Sequence, residues 1–175
     1  MNVIQFEINH NQRAVGIVEK NTVQRVNIVE SVRDLALMAI QNQLSLEQQV
    51  QQLGYSDDSY DYQSLLVELK VLPPLDHPDT AHCFISGTGL THLGSASTRD
   101  KMHQQNLNDA ASVTDTMRMF QWGVEKGKPT TGNVGAQPEW FYKGDGSIVV
   151  RPGTDLPVPP FAEDGGEEPE IAGLY

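Results

Sequence analysis

The stretch "NVIQFEINHNQRAVGIVEKNTVQRVNIV", residues 2–29, decides how this chain begins to fold. Three short runs, 2–8, 13–20 and 22–29, are rich in β-branched residues and are separated by turn formers at 9–11 and at Asn21. Branched side chains suit a pleated surface and Asn suits the breaks between strands, so the pattern predicts a three-strand meander. Next, "SVRDLALMAIQNQ" places Val32, Leu35, Ala36 and Ala39 at helical spacing behind Ser31, a good N-cap residue. Ser45 and Gln48 have the spacing of a capping box on a second helix, and Gly54 marks its end. "YSDDSYDY", 55–62, is polar and reads as a turn, and an apolar segment follows at 65–72. Residues 1–72 are therefore expected to form a small α/β domain.

The stretch "PPLDHP", 73–78, reads as a hinge, because three prolines in six residues continue neither a helix nor a central strand. Beyond it, 73–175 is expected to form the start of a second domain, which gives an α+β class for the whole. "HCFISGTGL" predicts a short buried strand entering a glycine loop, and a mainly helical stretch then ends near Gly127. "EWFYKG" and "SIVVRPG" are further strand candidates, and the closing "IAGLY" reads as a core strand.

The chain has 175 residues, a formal net charge of −11 and a mean hydropathy of −0.39. Its 12 Lys and Arg residues are scattered singly, which argues against capture of nucleic acid, since that needs clustered cations. No apolar run approaches the roughly 20 residues that cross a bilayer, so no membrane partner is expected. The single cysteine, Cys83, excludes an internal disulfide framework and fits a reducing, cytoplasmic setting.

Three stretches could carry chemistry. In "EDGGEEPEIAGLY", Glu163, Asp164, Glu167, Glu168 and Glu170 crowd before an apolar run. Glu168 and Glu170 stand at i and i+2, so in an extended strand both face one side, about 6–7 Å apart. Such a pair repels itself unless a cation lies between, and hard oxygen ligands favour Mg²⁺, Mn²⁺ or Ca²⁺. The plainer alternative is a solvated acidic loop. In "SGTGLTHLGSASTRDKMH", Gly87, Gly89 and Gly94 would let backbone N–H groups approach a ligand, with the Thr88 hydroxyl beside them. His92 is a candidate general base and Arg99 a candidate clamp for a substrate carboxylate, against ordinary surface roles for both. No Walker loop or dinucleotide fingerprint is present. In "QPEWFYKGDG", Lys143 follows three aromatics and could meet an anionic group, or simply reach solvent.

Taken in order, "LPP", the strand into the glycine loop, "PEWFYKG" and "EPE" before an apolar strand resemble the fumarylacetoacetate hydrolase family. The likeness covers 72–175 and is nearest to the branch that resembles 2-keto-3-deoxy-L-arabonate dehydratases. It implies a mixed β-roll catalytic domain with a divalent cation held by Glu168, Glu170 and a third ligand beyond Tyr175, so the chain is expected to be the front part of a longer protein. The hydrolase branch typically has G-x-N-Y-x-x-H. Here Gly89 and Leu90 stand in place of Asn and Tyr, and His92 arrives one residue early, which favours the dehydratase-like branch. The resemblance implies a cytoplasmic, homodimeric enzyme that dehydrates a 2-keto-3-deoxy sugar acid, with Gly87, Thr88, Gly89, Arg99 and Lys143 at the substrate. Hydrolysis of a C–C bond in an acylpyruvate or β-diketone, a non-catalytic sugar-acid-binding protein and an inactive fragment are the alternatives.

Overall fold

Strands β1 (Val3–Asn9), β2 (Gln12–Glu19) and β3 (Thr22–Val26) form the expected antiparallel meander in a computed structural model that describes residues 1–88, 115–136, 140–163 and 172–174. Ala14, Val15, Gly16 and Ile17 of β2 are all buried, which requires cover on both faces of the sheet. One face supplies Val15, Ile17 and Val26 to a core with Val29, Leu35 and Val50. The other supplies Phe6, Ala14 and Val23 to a core with Leu65 and Val71. A doubly covered strand reads as a continuous apolar run rather than an alternating one, as β2 does.

Local signals set the helices. Helix α1 (Val32–Gln41) is capped by Ser31, whose Oγ accepts from the Asp34 N–H at 3.0 Å. Helix α2 (Leu46–Leu53) carries the full capping box: the Gln48 N–H donates to Ser45 Oγ at 3.2 Å and the Ser45 N–H to Gln48 Oε1 at 2.9 Å. Gly54 ends it at φ +69°, a left-handed conformation that costs glycine nothing sterically.

The stretch read as a polar turn is instead a fourth strand, β4 (Tyr55–Asp61), paired antiparallel with β3. Its hydrophobic content is low because it is an edge, and pairing with β3 determines it. Gln24 Nε2 donates to the carbonyls of Ser56 and Asp58, and Arg25 pairs with Asp58 at 3.0 Å. Tyr60 lies edge-on to Phe6 with ring centroids 4.9 Å apart. Charged edge strands resist pairing with a second chain, and Asp57 and Asp58 serve that purpose here. Asp61 then caps helix α3 (Tyr62–Val67), accepting from the Ser64 N–H at 2.7 Å.

Contacts divide the chain into two units, Met1–Cys83 with Asp145–Tyr175, and Phe84–Gly144. The proline-rich stretch 73–78 runs within the first. There, the Glu7 N–H donates to the Lys70 carbonyl and the Leu72 N–H to that of Gln5, so 70–72 covers the free edge of β1. "SIVVRPG" is not a strand: Gly146–Ile148 is a 3₁₀ turn, and Arg151 anchors the residues after it to Glu7 at 3.2 Å and to the Leu69 carbonyl at 2.9 Å. The expected closing strand is also absent from 172–174, where Ala172 and Gly173 are exposed.

In the second unit, β5 (Phe84–Thr88) pairs with β6 (Trp140–Asp145), and helix α4 (Asp115–Lys126) ends at Gly127 as the sequence predicts. The described residues therefore form an α+β protein with antiparallel sheets. No helix among them is long and apolar enough to cross a membrane.

Candidate functional site

The second unit brings together two stretches that lie far apart in sequence. β5 carries Gly87 and Thr88, β6 carries Lys143, and the two strands are neighbours in one sheet. The rings of Phe84 and Tyr142 meet edge to face, 6.5 Å between centroids, so these residues share a face. Strand side chains alternate, and Gly87 and Lys143 each stand an odd number of positions from that ring pair. Both therefore fall on the opposite face. Gly87 is buried and Lys143 half-buried. Lysine is a residue type that meets anions as a point charge, and glycine one that lets a ligand approach the backbone.

Gly89, His92 and Arg99 lie within 89–114, and Glu168 and Glu170 within 164–171; all five are outside the described residues. Among the described residues, no three His, Cys, Asp or Glu side chains are grouped so as to hold a metal ion.

In the first unit, a cluster that the sequence reading passed over lies at "DHPDTAHC", 76–83. A cavity of about 170 Å³ is lined by Asp76, His77, Thr80 and Cys83 together with Gly146 and Val149. Asp79 organises the rim: its N–H donates to His77 Nδ1 at 3.0 Å, and its Oδ2 lies 2.9 Å from His82 Nδ1. The two imidazole rings are 5.2 Å apart. One Arg13 nitrogen donates to both oxygens of Asp76 at 2.9 Å, and Gln5 Nε2 donates to Asp76 Oδ1 at the same distance. The signal in the sequence is five titratable residues in eight positions, overlapping a proline-rich stretch. A carboxylate-oriented imidazole can accept or pass a proton.

Asp145, which precedes Gly146 in the chain, caps the 3₁₀ turn at Gly146–Ile148. Hydrogen bonds from the Ser147 side chain and backbone hold its carboxyl below the ordinary 3.8. No family model matches the chain, and no curated protein or solved structure matches it either.

Proposed function

We propose that this chain belongs to a divalent-cation-dependent hydro-lyase that dehydrates a 2-keto-3-deoxy sugar acid, with 2-keto-3-deoxy-L-arabonate going to 2,5-dioxopentanoate. The ordered motifs over 72–175 motivate this reading. The single structural observation that supports it is the pairing of β5 with β6, which sets Gly87 and Lys143 on one face of a sheet. Two of the three motif stretches thereby become neighbours, as a shared substrate site requires.

In this reading, Lys143 and Arg99 bind the substrate carboxylate, and the backbone of Gly87, Thr88 and Gly89 closes on the keto acid. Glu168 and Glu170 would hold Mg²⁺, or Mn²⁺ or Ca²⁺ in its place, and a bound ion would supply Lewis-acid polarisation of the 2-keto group. His92 removes a proton from C3 and the C4 hydroxyl leaves as water, giving a C3=C4 enone that still carries the C5 alcohol. Loss of a proton from C5 and gain of one at C3 turn this into the C4=C5 enol, which takes up a proton at C4 to become the aldehyde at C5. The enzyme acts in the cytoplasm as a homodimer and needs neither a nucleic acid nor a membrane.

The test is an assay of the natural protein on 2-keto-3-deoxy-L-arabonate and on an acylpyruvate, each with Mg²⁺ and with a chelator. Cation-dependent formation of 2,5-dioxopentanoate is expected. Cleavage of the acylpyruvate alone would assign a hydrolase instead, and tight binding of the keto acid without turnover would assign a binding protein.

A further inference from the structure

The second unit is an insertion: the chain leaves the first unit at Cys83 and returns to it at Asp145. On the first unit's side, each connection ends in a 3₁₀ turn with an aspartate cap. Asp79 caps Thr80–His82 by accepting from the Ala81 N–H at 3.1 Å, and Asp145 caps Gly146–Ile148 by accepting from the Ser147 N–H at 2.8 Å. The two turns touch. A Cβ placed on Gly146 would lie 3.0 Å from Cys83 Cβ and 3.4 Å from the Thr80 carbonyl, so only glycine allows this approach without displacement.

We infer that the two capped turns form a clasp that closes the base of the insertion and sustains the pairing of β5 with β6. A two-stranded sheet is marginal by itself in water, and bringing together strands so distant in sequence costs loop-closure entropy. Contact between Cys83 and Gly146 closes that loop just before β5 begins and just after β6 ends. The strands are then delivered side by side, and their pairing needs to fix only a short remaining length of chain.

Hydrogen exchange of the whole chain tests this. In Gly146→Val, and in the double variant Asp79→Ala/Asp145→Ala, the amides of β5 and β6 should lose about tenfold or more of their protection while those of β1–β3 keep theirs. In the milder Gly146→Ala, adding Cys83→Gly should restore β5–β6 protection because it removes the opposing Cβ, whereas Cys83→Ala should not. Unchanged β5–β6 protection in both Gly146→Val and the double variant overturns the clasp. A loss spread equally over β1–β3 also overturns it, since the turns would then serve only the stability of the first unit.

Discussion

Every buried apolar side chain among the described residues lies between Phe6 and Leu72, whereas Phe84, Trp122, Val124 and Tyr142 of the second unit stand 52–66% exposed. The N-terminal region resembles a self-sufficient domain, with a sheet covered on both faces and helices capped at their starts. The described residues of the second unit offer a two-stranded sheet and a helix, and they include Gly87 and Lys143. The buried core and the Gly87–Lys143 face therefore lie on different parts of the chain, and substitutions should separate them.

The largest contrast is between two phenylalanines. Phe6→Ala empties a fully buried position and should cost about 3–5 kcal/mol in urea unfolding. Phe84→Ala removes a side chain that is 65% exposed and should change stability by no more than about 0.5 kcal/mol. Comparable losses in the two variants would break the division. Gln5→Ala comes next, at about 1–3 kcal/mol by the same measurement. The buried Gln5 amide accepts from the Val32 N–H, one of the unpaired donors at the start of α1, and donates to the Pro73 carbonyl and to Asp76. Its loss strands the Val32 N–H and the Pro73 carbonyl and leaves Asp76 to Arg13 alone, and a neutral result would show that water replaces it.

The smallest effect is a pH dependence. Hydrogen bonds from the Ser64 backbone and side chain, with a further one from Asn21, hold the Asp61 carboxyl below its ordinary 3.8. A lowered folded value means that Asp61 contributes stability above its unfolded value, which is lost as pH falls through the folded one. Asp61→Asn keeps an acceptor for the Ser64 N–H and removes the titration. The fall of the urea midpoint below about pH 4 should become shallower, with little change at pH 7. An unaltered acid limb would exclude Asp61 as a contributor.

These cases also show what the sequence could reveal. Ser31, Ser45, Gln48 and Gly54 act within one helical turn, so their roles could be read directly from spacing. β4 could not, because "YSDDSYD" has neither apolar alternation nor branched residues and is a strand only through its partner β3. "SIVVRPG" failed in the opposite direction. Its composition favours a strand, but the Asp145 cap and the Arg151 anchor on Glu7 impose a turn and an irregular path. For the candidate site, Gly87 and Lys143 were legible as types, while their common face followed only from the pairing of β5 with β6. The Asp76–Cys83 cluster escaped because prolines dominate the local reading, and its grouping depends on Gly146 returning to it from late in the chain.

The most direct test of the proposed function is the rate of 2,5-dioxopentanoate formation by the natural protein at saturating Mg²⁺, compared with its Glu168→Gln and Glu170→Gln variants. The account predicts cation-dependent turnover that both substitutions abolish while the urea unfolding of the N-terminal region stays unchanged. Undiminished turnover in both variants would contradict it.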